Sequence, residues 1–155
     1  MDSIDRSIIE ELRSNARQTN QELADVVGLT PSPCLRRVKK LEDSGVIAGY
    51  TALVDHRAAG LAVTAFVRLR LSSHAKATIA LVEERLQAAD NVQECFLMSG
   101  DCDYLLRVVA ESLEDYERFI RSTLHGIEGI GSIDTSFAFG TVKTRAPIPF
   151  PRAGR

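Results

Sequence analysis

Tryptophan is absent from this 155-residue chain, and aromatic residues make up only 6% of it. A core built from such a sequence must be aliphatic. Cysteine is nearly absent too. Cys34, Cys95 and Cys102 form no C-x-x-C pair, and three at irregular spacing make no disulfide framework, so free thiols in a reducing compartment are expected. His56, His74 and His125 are scattered, without the clustering that a metal site needs. Neither sign of charge dominates: 19 Lys and Arg stand against 21 Asp and Glu, for a net charge of -2. A nucleic-acid partner would therefore have to meet a local patch rather than a basic protein. No apolar run is long enough for a membrane span. The opening MDSIDRSIIEEL is acidic and amphipathic, unlike a signal peptide, so a cytoplasmic location is expected. G-x-G-x-x-G and Walker motifs are missing, no nucleophile–base pair is evident, and an enzyme is not expected.

What is present is ordinary globular material, 45% hydrophobic and 26% charged, in two halves of different period. In the first half, Ile4, Ile8, Ile9 and Leu12 recur at helical spacing. Thr19-Asn20-Gln21-Glu22 has the form of a capping box, opening a short helix with Leu23, Ala24 and Val27 that Gly28 ends. Thr30 is placed to cap a third helix, with Pro31 at its first position and Gly45 as its stop. Helix, tight glycine turn and helix is the spacing of a helix-turn-helix. On the third helix Cys34, Leu35, Val38 and Leu41 share one side, and Arg36 and Lys40 lie nearly opposite. Ser32 and Pro33 share that opposite side, and Arg37 and Lys39 flank it. From Pro31 to Leu41 there are four basic side chains and no acidic one. An exposed cationic helix of this size suits a DNA major groove. Residues 46–54, VIAGYTALV, have strand composition, and Asp55 to Gly60 reads as a hinge.

From Leu61 the period becomes two. Val63, Ala65, Val67, Leu69 and Leu71 alternate with Thr64, Phe66, Arg68 and Arg70 in a half-buried strand. A helix over about 75–89 carries Ile79, Val82 and Leu86. Strands over 92–99 and 103–110 follow, joined by the turn Gly100-Asp101-Cys102 as a hairpin. Ser112 caps a helix with Leu113, Tyr116, Phe119, Ile120 and Leu124. Ile133, Thr135, Phe137 and Phe139 then mark a last strand. The order βαββαβ is the ferredoxin-like split unit. Its helices cover one sheet face, so the semi-apolar other face is expected to pack on a second copy. The tail from Arg145, with Pro147, Pro149 and Pro151, is expected to be extended and partly disordered.

Two stretches carry a family likeness. NQELADVVGLTPSPCLRRVKKLEDSGVIAGYTALVD resembles the DNA-binding half of the Lrp/AsnC (feast/famine) transcription regulators, and NVQECFLMSGDCDYLLRV resembles the same family's effector domain, called RAM. The resemblance covers about Asp2 to Lys143. It implies a recognition helix over 31–44, dimers formed through the sheet of the second domain, and assembly to tetramers or octamers. It further implies an amino-acid effector at a contact between dimers. That site would use the G-D-x-D positions Gly100, Asp101 and Asp103, with Met98 beside the loop and Thr135, Ser136 and Ala138 on the last strand. The chemistry suits an amino acid, since Asp101 or Asp103 can pair with an ammonium and amides near Gly100 can take a carboxylate. From spacing alone, both aspartates serve equally well as turn formers. Ile133, Cys102 and Glu128 depart from the common pattern, so the likeness names no particular effector.

The expectation is an α+β chain: a winged helix-turn-helix domain over 1–54 (helix-turn-helix about 20–39), a hinge over 55–60, a RAM domain over 61–143 and a tail over 144–155. It is expected to bind double-stranded DNA through Thr30, Ser32, Pro33, Arg36, Arg37, Lys39 and Lys40, to work at the nucleoid, and to need no metal or cofactor beyond the effector. The competing expectation is a ferredoxin-like metabolite-sensing module whose N-terminal helices make only protein contacts.

Overall fold

The computed structural model describes residues 1–143 and 147–151 and divides into two units, Met1–Leu53 with Lys143–Arg155, and Val54–Val142.

In the first unit, α1 (Ser3–Ser14), α2 (Asn20–Val27) and α3 (Pro31–Asp43) enclose a small core. Ile8, Ile9, Leu23, Ala24, Cys34 and Leu41 are buried there, with Ile4, Leu12, Val27, Leu29, Val38 and Ile47 packed around them. Each fully buried aliphatic side chain contributes about 1.5–3 kcal/mol. The helix starts follow local chemistry. Asp2 caps α1, accepting from the Asp5 amide at 2.9 Å while Asp5 accepts from the Asp2 amide at 3.0 Å. Thr19 and Glu22 form the same reciprocal box at α2. Gly28 ends α2 at φ 71°, a left-handed conformation that glycine adopts without penalty.

Three expectations for this unit need correction. Thr30 sits at the N-cap of α3, but its hydroxyl makes no capping bond. Pro33 occupies the third helical position and has no N–H to offer. Instead, Asn20 Nδ2 donates to the Pro31 carbonyl at 2.8 Å and ties the starts of α2 and α3 together. Leu35 is 57% exposed, because the buried stripe follows Cys34, Val38 and Leu41 and leaves their neighbour outside. Residues 46–54 form no strand. Strand composition needs a partner for its backbone groups; here the Ile47 amide donates to Leu41 O at 3.1 Å and the Tyr50 hydroxyl to Glu42 at 2.8 Å.

The tail makes contacts that its composition did not announce. Residues 144–146 and 152–155 fall outside the described residues, but Phe150 packs on the first unit's core. Arg6 lies over its ring at 5.6 Å and donates to Pro151 O at 2.8 Å, and the Ile148 amide donates to Glu10 at 3.0 Å.

The second unit is a four-stranded antiparallel sheet in the order β2-β3-β1-β4. Its elements are β1 (Val63–Leu71), α4 (Lys76–Gln87), β2 (Val92–Leu97), β3 (Tyr104–Ala110), α5 (Leu113–Phe119) running into a π turn (Ile120–Leu124), and β4 (Ile130–Phe137). Ala65, Val67 and Leu69 of β1 and Leu106 and Val108 of β3 meet Val82, Leu86, Tyr116, Phe119 and Leu124 in one aliphatic-rich core. β2 stops at Leu97 and β4 at Phe137, both short of their expected ends. Phe139 is 98% exposed, and Leu113 lies outside the core. Residues 56–60 form a tight turn, in which the Asp55 carboxylate accepts from the Arg57 and Ala58 amides.

Register defines the face opposite the helices. Phe66 pairs with Arg107 and Ser136, Arg68 with Leu105 and Asp134, and Phe96 with Leu105. Phe66, Leu105 and Phe96 thus share a face with two ion pairs, Arg107–Glu94 at 2.7 Å and Arg68–Asp134 at 3.3 Å.

Candidate DNA-reading helix and effector loop

The helix-turn-helix is α2, the turn 28–30 and α3. Along α3, Ser32, Arg36, Lys39 and Lys40 are exposed and Pro33 is half-buried. Thr30 precedes the helix, also exposed. Arg36, Lys39 and Lys40 have no hydrogen-bond or ion-pair partner among the described residues. They form an open cationic edge able to meet phosphates.

Arg37 is placed differently. Its guanidinium turns toward α1, with Nη1 2.6 Å from Asp5 Oδ1 and 2.8 Å from Asp2 Oδ2. Hydrogen bonding to the two carboxylates holds the guanidinium pKa above its ordinary value. The Asp5 amide, and then the Arg37 guanidinium, hold the Asp2 carboxyl below the usual range. Sequence reasoning missed this cluster, although the D-x-x-D spacing of Asp2 and Asp5 was a legible capping signal.

The hairpin between β2 and β3 is strapped to the end of β1. The Asp103 amide donates to Leu69 O at 2.8 Å and the Met98 amide to Asp103 O at 2.9 Å; Arg70 Nε donates to Asp101 O. Both oxygens of the Asp103 carboxylate are engaged. Oδ2 accepts from the Leu71 amide at 2.7 Å and Oδ1 faces His74 Nε2 at 2.8 Å. The His74 imidazole, then the Leu71 amide, hold this carboxyl below the ordinary range. His74, one of three scattered histidines in the sequence, is a partner that spacing did not reveal.

Asp101 contrasts with Asp103. Its side chain is exposed and has no partner, and the amides of Gly100, Asp101 and Cys102 donate to nothing among the described residues. Gly100 has φ 106°, which a side chain would resist. The loop therefore offers free N–H donors beside a free carboxylate, one set for each charged end of an amino acid. Met98 is 40% exposed at its rim. On β4 the expected lining residues diverge. Thr135 faces the helices, its hydroxyl bonded to Tyr116 OH, while Ser136 lies on the opposite face with Phe66. Adjacent strand residues point to opposite sides, so the structure does not bring these two together. Ala138, just past β4, is half-buried and donates through its amide to Thr64 O at 2.9 Å.

Comparison with known proteins assigns both units. Residues 1–48 match the winged helix-turn-helix DNA-binding family, and residues 64–148 match the Lrp/AsnC ligand binding domain. The chain belongs to the Lrp/AsnC family of transcriptional regulators. It is 35% identical over 149 residues to the transcriptional regulator AzlB of Bacillus subtilis, covering 96% of this chain and 95% of that one. It is 36% identical over 143 residues to the Leucine-responsive regulatory protein of Escherichia coli K12, covering 92% and 87%. A transcriptional regulator of Neisseria meningitidis, crystallised as its complex with L-Met, superposes with a TM-score of 0.91 at 33% identity over 96% of both chains. This Lrp/AsnC chain is thus a DNA-binding regulator rather than an enzyme, and a sensing module without DNA binding is set aside. Among the described residues, no helix is long and apolar enough to cross a membrane.

Proposed function

We propose that this Lrp/AsnC regulator binds an amino acid at the hairpin loop 98–103 and adjusts its occupancy of DNA accordingly. The observation that carries the effector half is the loop itself, in which the Asp101 carboxylate and the amides of Gly100 to Cys102 have no partner among the described residues. The carboxylate suits an ammonium and the amides suit a carboxylate. In this reading Asp103 shapes the loop, since its two oxygens are already engaged. Met98 contributes from the rim, whereas Ser136, opposite Phe66, and Ala138, bonded to Thr64, lie toward the other end of β1 from the loop, and Thr135 faces the helices. The related Neisseria regulator was crystallised with L-Met, which supports an amino-acid ligand class.

The DNA half places α3 in the major groove. Arg36, Lys39 and Lys40 meet phosphates and base edges, while Thr30, Ser32 and Pro33 approach at the helix start. The sheet face bearing Phe66, Phe96 and Leu105 pairs with a second copy, and dimers assemble to tetramers or octamers. Two recognition helices would then read a pseudo-palindromic site at the nucleoid. A ligand that binds one assembly or geometry better than another shifts the population toward it, and DNA affinity follows.

A thermal-shift panel of amino acids at millimolar concentration tests the effector half. A ligand at 100 times its dissociation constant stabilises the folded state by about 2.7 kcal/mol. A shift with one or a few amino acids, lost in Asp101→Ala, supports the site. No shift with any of them removes the amino-acid reading.

A further inference from the structure

Three of the four cations on α3 are open to solvent, and the fourth is not. Arg37 is half-buried against the N-terminus of α1 in a cluster of one guanidinium and two carboxylates. Asp5 is 9% exposed, the one buried charged residue among those described. The same carboxylates close the α1 capping box, each accepting the other's amide. The cluster therefore joins the first turn of α1 to the middle of α3. Any move of Arg37 toward a phosphate would leave Asp5 buried without its cation, an arrangement that proteins tolerate badly.

We propose that Arg37 is a positioning residue for DNA binding, which fixes the rotation of α3 about its own axis by its grip on Asp2 and Asp5. Arg36 and Arg37 are neighbours on a helix, about 100° apart around the axis. Holding Arg37 inward against α1 sets Arg36 and Lys40 outward. A rotation of about 100° would carry Arg37 to the direction Arg36 now takes and swing Arg36 away from it. The cluster also lowers the effective positive charge of α3 by one, leaving three side chains to make phosphate contacts. The proposal rests on α3 being the DNA-reading helix, and the experiment separates failure of that reading from failure of this one.

The test is the salt dependence of binding to a fluorescently labelled duplex of mixed sequence, measured by anisotropy. The full-length wild type is compared with Arg36→Ala, Lys40→Ala, Arg37→Ala, Arg37→Lys and Asp5→Asn. Losing one phosphate contact lowers the slope of log K against log salt by about 0.9. Arg36→Ala is expected to do this. Arg37→Ala is expected to weaken binding by the same factor at every salt concentration, giving a line parallel to that of wild type. Arg37→Lys keeps the charge but not the position of the Nη1 that meets both carboxylates, and should recover part of the affinity. Asp5→Asn gives the sharpest contrast. If Arg37 positions α3, loss of the carboxylate weakens binding; if Arg37 contacts DNA, the freed guanidinium tightens it.

A reduced slope for Arg37→Ala, or tighter binding for Asp5→Asn, overturns the proposal. So does an Arg37→Ala line superposed on that of wild type, which makes the cluster a purely structural contact. Arg36→Ala and Lys40→Ala leaving both slope and affinity unchanged would overturn the assignment of α3 itself, and this proposal with it. Thermal melts accompany each variant. Should Arg37→Ala be unfolded at the assay temperature, Arg37→Lys and Asp5→Asn carry the same contrast of sign.

Discussion

Gly129→Ala probes how α4 is seated against the start of β4. Gly129 has φ 106°, and an added Cβ would stand 2.4 Å from Thr78 Cγ2 on α4, with Val82 Cγ2 next at 3.6 Å. Two separate terms follow. The backbone term, an L-residue held at positive φ, costs about 1–3 kcal/mol. The contact term is overpacking, about 1–3 kcal/mol, because the β-branched Thr78 has little rotamer freedom with which to retreat. The sum is about 2–6 kcal/mol, a large share of the stability of a domain of this size. The Gly129 carbonyl accepts from the Ser72 amide at 2.8 Å, so the loop cannot shift without loosening that bond. Urea unfolding of Gly129→Ala, Thr78→Ala and the double variant separates the terms. Thr78→Ala removes the clashing methyl but leaves φ unchanged. The double variant should therefore be more stable than the sum of the singles by about 1–3 kcal/mol, while staying below Thr78→Ala alone. An alanine at 129 that unfolds at the wild-type midpoint would refute both terms. Strict additivity would refute the contact term.

Three further outcomes are expected. Acid titration should destabilise the chain as pH falls below about 4.5. Hydrogen bonds in the folded state hold Asp2, Glu22 and Asp103 below their ordinary values of 3.8, 4.5 and 3.8, so the stability they contribute is present above those values and lost as pH falls beneath them. Glu22→Gln should flatten the dependence of melting temperature on pH across that window. Phe150→Ala should destabilise the first unit by about 1–3 kcal/mol, roughly half of a fully buried Phe→Ala, since the ring is only half-buried; hydrogen exchange of α1 amides reads it, and unchanged exchange would deny the tail its anchoring role. Asp103→Asn should lower the melting temperature by loosening the strap to Leu71 and His74, whereas Asp101→Asn should leave it unchanged; equal effects would contradict the different roles given to the two aspartates.

Much of this was legible in the sequence. Period-two alternation in Val63 to Leu71, the Thr19–Glu22 capping box and Gly28 each encode their element through purely local chemistry, and each gave the right element. The readings that changed depended on partners distant in sequence. Residues 46–54 have the side chains of a strand but no neighbouring strand to pair with among the described residues. Arg37 reads as one more cation on a basic helix until α1 brings Asp2 and Asp5 to it from more than thirty positions away. The G-D-x-D aspartates are indistinguishable in a turn motif. What separates them is the end of β1, whose Leu71 amide reaches one and not the other. Phe150 looked like part of a proline-rich tail, yet its burial depends on a core assembled at the opposite end of the chain.

The central claim is that an amino acid held at the loop 98–103 changes how firmly α3 holds DNA. It is tested most directly by titrating the protein onto a labelled duplex from its own upstream region, with and without each amino acid at millimolar concentration, for wild type and Asp101→Ala. The account predicts that at least one amino acid changes the dissociation constant for wild type, and that Asp101→Ala binds the duplex but no longer responds. Salt-sensitive DNA binding that no amino acid alters would contradict it.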